Sequence, residues 1–406
     1  MRKATIIQAT SEKIVPGGQS LATLADGKKA FVWGVLPQED FTFTVTKNKA
    51  HYCEGLVQDV LKASPKRIAA RDTCFLSTSP WQIFDYDYEL AQKSQLVVSA
   101  FRQQGIEITP PPILSDGKDF YYRNKMEYSL YYDHNDQQIH LAFHQRGSHR
   151  KIPITQSSIE RPEVFQEATR ILKELNLAQA DARQYQSLLV RCSQDGQVSS
   201  ALLEKFKAHP KMSNLEDQLL GRRFSYSPNG FFQINLPLYE MALKHIQQRL
   251  KSSKVLDFYA GVGSIGLSVA ADRELTLVEI NPAAYRELLT NCQNFTIQDP
   301  SSHITPVFAK SESATNYLTP HHDVILDPPR AGCDDRLISA LNEIKPAQIL
   351  YLSCNPITQA RDLAKLLQNY HLTDITLFNF FPRTPHIETV ALLSKLDVDK
   401  HIDVEI

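Results

Sequence analysis

The chain reads as an α/β protein in three parts: an N-terminal OB-like β-barrel, an α+β middle domain, and a C-terminal Rossmann-like, mostly parallel sheet. Three observations predict this. Residues 4–61 hold short alternating apolar runs broken by turn signals. Residues 119–220 mix strand and helix patterns. From Val255 onward, strands and helices alternate in regular order. The expected domain boundaries are 1–67, 68–220 and 221–406, in keeping with two or three domains for 406 residues.

In the barrel, the expected strands lie at Thr5–Ile7, Leu21–Leu24, Ala30–Leu36, Phe41–Val45 and Gly55–Val60. They are separated by Pro16-Gly17-Gly18, Asp26-Gly27 and Pro37-Gln38-Glu39-Asp40. Ser64-Pro65-Lys66-Arg67 closes this part. Periodic Leu90, Leu96, Val97, Ala100 and Phe101 predict a helix over 89–104, ended by Gly105. The middle part carries strands at Tyr121–Leu130, Ile139–Phe143 and Ser187–Cys192, and a helix at Pro162–Leu175. The C-terminal part begins with the strand Lys254–Phe258 and a glycine turn. Strands follow at Leu275–Glu279, Ile304–Phe308, Asp323–Leu326, Ile349–Leu352, Ile375–Phe380 and Ile387–Leu393, with helices at Pro282–Asn294, Leu337–Ile344 and Thr358–Gln368. Residues 397–406 read as a polar tail.

Composition narrows the function classes. The N-terminus lacks the apolar stretch of a signal peptide, and no run of about 18 apolar residues offers a membrane span, so a cytoplasmic protein is expected. Six scattered cysteines without a C-x-x-C argue against zinc or a disulfide framework, and no metal site is expected. A net charge of −1 makes no global case for nucleic acid. Charge is uneven, however: residues 1–67 carry ten Lys/Arg against six Asp/Glu, and His144–Lys151 is a compact basic loop compatible with RNA.

The glycine turn is the centre of the C-terminal part. In Gly261-Val262-Gly263-Ser264-Ile265-Gly266, Gly261 and Gly263 let backbone approach a ligand, and Gly266 lets the helix pack on the sheet. The spacing matches the dinucleotide fingerprint, and Glu279 supplies the acid expected on a ribose. Asp257, at the strand end, suits a cationic ligand better than a pyrophosphate. NAD and S-adenosylmethionine are both compatible, and the second is preferred. Further polar motifs fall at the carboxyl ends of strands, where ligands of such sheets bind. Asp327-Pro328-Pro329-Arg330 fixes Asp327 at the sheet mouth. Ser353-Cys354-Asn355-Pro356 places a cysteine before a helix, whose dipole is expected to favour thiolate. The turn Phe381–His386 delivers Glu388. Asn229–Asn235, with Phe231, Phe232 and Gln233, reads as an aromatic and amide patch able to stack on a planar ring. A methyl donor, a thiolate and a carboxylate together suit methylation of uracil at C5: Cys354 adds to C6, C5 takes the methyl group, and Glu388 removes the C5 proton.

With these residues in hand, the chain resembles the TRAM-domain RNA (uracil-5-)-methyltransferases, most of all those acting on 23S ribosomal RNA. The likeness rests on Ser64–Arg67, Tyr122-Arg123-Asn124-Lys125, Phe232-Gln233-Ile234-Asn235, Asp257–Gly263, Asp327–Arg330, Ser353–Pro356 and His386–Thr389. It implies a TRAM barrel and a methyltransferase domain on which the 89–104 helix packs. It also implies Cys354 as nucleophile and Glu388 as base, with Gln233, Tyr259, Ser264, Glu279 and Asp327 beside Gly261 around the S-adenosylmethionine. Ribosomal RNA is the expected partner, with transfer RNA the alternative, and no membrane or obligate protein partner is expected. Transfer-RNA members usually lack the barrel. Many relatives hold a 4Fe-4S cluster through cysteines near Trp81-Gln82. Here only Cys74 stands locally, so no cluster is expected and the loop at 74–80 should be held by ordinary packing. Gln38 stands where relatives usually place glycine. Competing readings are an NAD-dependent oxidoreductase, which leaves Cys354 and Glu388 without a role, and an inactive RNA-binding protein.

Overall fold

The computed structural model describes residues 6–208 and 210–396, so the tail read at 397–406 lies outside them. The chain packs as two compact units. The first comprises Met1–Leu96, Ser115–Leu215 and Asn379–His386; the second comprises Val97–Leu114, Glu216–Phe378 and Ile387–Ile406.

In the first unit, β1 (Ile6–Ile14), β2 (Ser20–Thr23), β3 (Lys29–Trp33), β4 (Asp40–Asn48) and β5 (Tyr52–Lys62) close into a barrel in the order β1-β2-β3-β5-β4. Alternation drives closure: Phe41 and Phe43 point inward from β4 to meet Ala22, Ala30, Val32 and Cys53. Gly55 on β5 lies against the Phe43 ring, where a Cβ would come within 2.3 Å.

Ser64–Arg67 plays a structural part. Arg67 grips the buried Glu39 through Nε and Nη2, both at 2.6 Å, and Glu39 also accepts the N–H groups of Leu36 and Ser64. The preceding residue, Gln38, is exposed and left-handed at φ 67°, the conformation glycine adopts without strain.

After the barrel come α1 (Phe75–Thr78), α2 (Tyr86–Arg102) and a two-residue strand, β6 (Ile113–Leu114). The middle sheet is built from β7 (Lys125–Asp133), β8 (Gln138–His144), β9 (Lys151–Pro153), β10 (Tyr185–Cys192) and β11 (Val198–Glu204). These pair antiparallel in the order β11-β10-β7-β8-β9. Helix α3 (Pro162–Leu177) lays Val164, Ala168, Ile171 and Leu175 on it, one per helical turn, against Tyr128, Leu188 and Val190. The expected strand from Tyr121 begins four residues later, because Tyr121 is itself left-handed at φ 56°.

Cys74 is buried in this core. The loop around it is tied by Asp72, whose Oδ2 accepts hydrogen bonds from Gln82 Nε2 (2.8 Å) and from Ser158 N–H and Oγ–H. The segment Asn379–His386 is held by buried charges: Arg383 pairs with Asp119 and gives its N–H to Glu89, while Lys93 bonds both Glu89 and Asn379.

The second unit continues with β12 (Leu215–Leu219), β13 (Arg222–Tyr226), α4 (Leu236–Gln247), β14 (Lys254–Phe258), α5 (Gly266–Ala270), β15 (Glu274–Glu279), α6 (Pro282–Gln298), β16 (His303–Phe308), β17 (His322–Leu326), α7 (Asp335–Ile344), β18 (Gln348–Ser353), α8 (Pro356–Leu366), β19 (Tyr370–Phe378) and β20 (Glu388–Lys395). Its eight-stranded sheet runs β16-β15-β14-β17-β18-β20-β19-β6. Five strands from β16 to β18 are parallel, and β20 is antiparallel to both of its neighbours. The central strands are buried on both faces, as a sheet covered by helices requires: all five residues of β17 and the last four of β14 are buried. Val97 and Phe101 of α2 share one core with Leu256, Leu326 and Tyr351. The dinucleotide-binding order 3-2-1-4-5-6 has no antiparallel strand inserted at this place, which weighs against the oxidoreductase reading.

Because left-handed Gln38 costs about 1–2 kcal/mol relative to an unstrained residue, and glycine returns part of that as backbone entropy, Gln38→Gly should stabilise the protein by about 0.5–1 kcal/mol. A denaturant midpoint followed by tryptophan fluorescence checks this; a lower midpoint would show that the strain is absent.

Candidate active site

The strand order reverses at β14, between β15 and β17, and ligands of such sheets bind at that carboxyl edge. The chain leaves β14 through Tyr259, left-handed at φ 63°, and then Gly261 (φ 57°) and Gly263 (φ 86°). The two glycines serve different ends. A Cβ on Gly261 would meet nothing within 4 Å, so this side of the turn is open. One on Gly263 would lie 2.7 Å from Leu288, so that glycine permits packing. Gly266 begins α5, and a Cβ there would sit 2.8 Å from Asp257 Oδ2. Glu279, at the end of β15, accepts the N–H of Gly261 (2.8 Å) and of Asn281 (2.5 Å), and so braces the turn from below. Ser264 is fixed by a 2.7 Å hydrogen bond with the Tyr239 hydroxyl of α4.

Asp257 is fully buried. Its Oδ2 accepts the Gly266 N–H at 2.9 Å, while Oδ1 has no hydrogen-bond partner. Burial, and then the charges of Asp327 and Glu279, push its carboxyl up to about 8. Burial thus favours the protonated form of the acid that the sequence reading set against a cation.

Strand register assembles the rest. Leu326 pairs with Tyr351 and Phe258 with Leu326, so Tyr259 and Asp327 leave neighbouring strands at one level. Ser353 of β18 pairs with Thr389 of β20, and one further step of that antiparallel register sets Cys354 opposite Glu388. Thr389 Oγ bonds both the Ser353 carbonyl (3.2 Å) and Gln359 Oε1 (2.6 Å), locking the pairing at its end. Asn355 caps α8 through Ile357 N–H, and its Nδ2 donates to the Arg330 carbonyl at 2.9 Å, tying the Asp327–Arg330 turn to the Cys354 turn.

The thiol differs from expectation. Cys354 precedes the helix cap rather than lying in the first turn, where the dipole is felt. Burial and the Glu388 charge push it up to about 11, against a downward pull from Arg330. Burial and Asp327 likewise hold Glu388 well above the carboxylate range, with Arg330 again opposing, and burial pushes Asp327 up to about 7. Arg330 is the residue that sequence reasoning left without a role; its signal was a lone cation directly after the rigid Asp327-Pro328-Pro329. The aromatic and amide patch divides: Phe232 is buried and stacked on Tyr226 with centroids 4.0 Å apart, Gln233 is buried, and Phe231 is exposed. Phe231 is thus the exposed ring of the patch.

Known proteins resemble this chain in sequence and in fold. A profile described as tRNA (Uracil-5-)-methyltransferase matches residues 312–396. A protein of Treponema denticola named as an RNA methyltransferase is 29% identical, covering 95% of this chain and 98% of its own. One of Bacillus cereus is 27% identical over 89% and 91%. Among solved structures, the Pyrococcus abyssi tRNA (uracil-54, C5)-methyltransferase in complex with S-adenosyl-L-homocysteine has a TM-score of 0.76 at 21% identity, covering 95% of this chain and 99% of its own.

Two predictions follow from the electrostatics. Cys354 is the one partly exposed cysteine among the described residues, the others being buried. Its alkylation by iodoacetamide, read by mass spectrometry, should rise about tenfold per pH unit from 7 to 10, because thiolate is the reactive form. A rate already flat at pH 7 would mean a depressed thiol. For Asp257, folded-state protonation is favoured relative to the unfolded chain, so its contribution to stability is full below about pH 4 and is lost as pH rises through about 8. Asp257→Asn should therefore lose less melting temperature than the parent between pH 5 and 8; parallel losses would refute the assignment.

Proposed function

We propose that this chain, which matches the tRNA (Uracil-5-)-methyltransferase profile over residues 312–396 and is 29% identical to a protein named as an RNA methyltransferase, methylates C5 of a uridine in RNA with S-adenosylmethionine, Cys354 acting as nucleophile and Glu388 as base. The observation that carries this reading is the β18–β20 register, in which the step after Ser353–Thr389 brings Cys354 and Glu388 together, in keeping with the effect of the Glu388 charge on the thiol.

The residues present fit that donor. Gly261 faces open space, and Asp257, Glu279 and Asp327 form an acidic group suited to a sulfonium and an ammonium, with one oxygen of Asp257 unpartnered. Gln233, Tyr259, Ser264, Glu279 and Asp327, with the Gly261 backbone, would hold it. When bound, S-adenosylmethionine supplies the electrophilic methyl that C5 takes, leaving as S-adenosylhomocysteine.

The protein's own residues do the rest. Cys354 loses its thiol proton to water, and Arg330, which favours the ionised forms of both Cys354 and Glu388, holds the thiolate. The thiolate adds to C6 of the uracil, and the C5–C6 electron pair moves onto the C4 oxygen, making C5 nucleophilic. After C5 is methylated, Glu388 takes its proton. The electrons of that C–H bond re-form the C5–C6 double bond as the sulfur–C6 bond breaks. A carboxylate raised toward neutrality is the stronger base for this step.

Large-subunit ribosomal RNA is the first substrate to test, on the likeness of the sequence motifs. Transfer RNA is the second, and a specific observation favours keeping it. The match to the archaeal tRNA enzyme spans 95% of this chain and so takes in most of the barrel, which therefore does not separate the two substrate classes.

The test uses radiolabelled S-adenosylmethionine with extracted ribosomal and transfer RNA in parallel, and then the preferred RNA carrying 5-fluorouridine. Fluorine at C5 cannot leave as a proton, so a covalent RNA adduct on Cys354 is expected. Cys354→Ala should lose both adduct and at least about 10³-fold of the rate, while Glu388→Gln should accumulate a methylated adduct on ordinary RNA. Methylation by Cys354→Ala at near-parent rate would overturn the mechanism.

A further inference from the structure

A cavity of about 640 Å³ opens on the middle sheet, formed by residues from Leu130 to Lys205 of the first unit and sharing none with the Cys354 site. It gathers the end of β7, the first residue of β9, the turn at Ala182–Gln184 and the residue after β11. Its charged lining is Lys151, Lys205, Arg183 and Asp181, with Tyr132 and His134 also facing it.

The charges do not balance. Asp181 is the one acid in the lining, and it is engaged by its loop neighbour Arg183 at 3.0 Å. Among the described residues, neither Lys151 nor Lys205 has a carboxylate partner within 4 Å. Backbone holds them instead. Lys151 Nζ donates to the Leu130 carbonyl at 2.8 Å, leaving other donors of the ammonium available. Lys205 is anchored by its N–H on the Gln184 carbonyl at 2.9 Å. The two are close enough that Lys205's charge, after burial, lowers the Lys151 pKa. Two like charges facing one cavity repel, and an anion between them removes the repulsion.

The anion is not a small one. The volume falls within the roughly 300–1,000 Å³ of ligand pockets. The Tyr132 ring, 38% exposed, stands edge-on to His134 with centroids 5.1 Å apart, presenting an aromatic face beside the cations. Paired cations with an adjacent aromatic ring are the combination that binds a single nucleic-acid strand through phosphate and base face together.

We propose that this cavity is a second RNA-binding subsite, in which Lys151 and Lys205 hold a phosphodiester and Tyr132 stacks on a neighbouring base. The proposal rests on the reading of RNA as substrate, and it assigns the cavity to substrate capture rather than to chemistry.

Binding of a fluorescein-labelled 20-nucleotide single-stranded RNA to the full chain, by anisotropy at about 100 mM salt and across a salt series, tests it. Lys151→Gln with Lys205→Gln should weaken binding about tenfold and reduce the log–log salt slope by about 0.7, the loss of one phosphate contact on a single strand. Tyr132→Ala should weaken binding about fivefold with the slope unchanged. In methylation assays the lysine pair should raise KM for RNA while leaving kcat in place. Lys205→Gln alone, at an exposed position, keeps the test sound should the Lys151 change unfold the sheet; it should give a smaller loss of the same kind. Affinity and slope unchanged in a variant with parent melting temperature would overturn the subsite. So would tighter binding of polyglutamate than of RNA, which would make the cavity a protein-docking site. Binding is read without methyl transfer, so a failure of uridine methylation leaves this measurement intact, and a failure here leaves the Cys354 chemistry standing.

Discussion

The antiparallel seat of β20 between β18 and β19 is the constraint on which the site depends. It brings the first residue of β20 to the carboxyl end of β18, where Ser353 pairs with Thr389 and Glu388 falls opposite Cys354. Were β20 parallel to β18, its first residue would lie at the far edge of the sheet. The six residues of β18 would then separate Glu388 from the thiol by about 20 Å. Topology thus decides whether two residues 34 positions apart can act on one ring. The Thr389 and Gln359 hydrogen bonds keep that register from slipping by one step, which would turn Glu388 to the opposite face.

The same edge concentrates acids that nothing in the chain fully neutralises. Asp257, Asp327 and Glu388 are all pushed above the ordinary carboxylate range by burial, and the charge of Asp327 adds to the rise at Asp257 and at Glu388. Arg330 is the cation that acts on both Cys354 and Glu388. Such an arrangement is costly in the free protein and is relieved by a bound cation, which is the charge character of a sulfonium donor. It also sets the order of protonation. The thiol is held protonated while Glu388 is charged, so ionising both together is disfavoured, and the neighbouring guanidinium moderates the conflict.

Much of this was legible in the sequence because it rests on local rules. The five barrel strands followed from alternation and turn residues, and the strands and helices of the large sheet from periodicity. The glycine turn followed from spacing, and Gln38 stood out as a residue where glycine belonged, which its left-handed backbone explains. What escaped depends on tertiary context. The short pairing of β6 beside β19 has no local signal in two residues. The start of β7 was displaced by one left-handed tyrosine. The thiol was expected to be depressed by the α8 dipole, yet desolvation and a facing carboxylate outweigh a dipole felt only within the first turn. Phe232 read as a ligand-stacking ring, but its partner Tyr226 comes from a separate strand.

The motifs that carry the family likeness divide into two physical kinds. Asp327–Arg330, Ser353–Pro356 and Glu388 place reactive groups at strand ends. Ser64–Arg67 and Tyr122 instead close hydrogen-bond and ion-pair networks: Arg67 on buried Glu39, and the Tyr122 hydroxyl on the Pro382 carbonyl. A buried charge stripped of its partner is strongly destabilising, so such residues are constrained as tightly as catalytic ones without touching substrate. Recognition of RNA has no such requirement. Exposed lysines and aromatic rings can bind a strand from many positions, and surface charge is where a sequence carries its weakest signal.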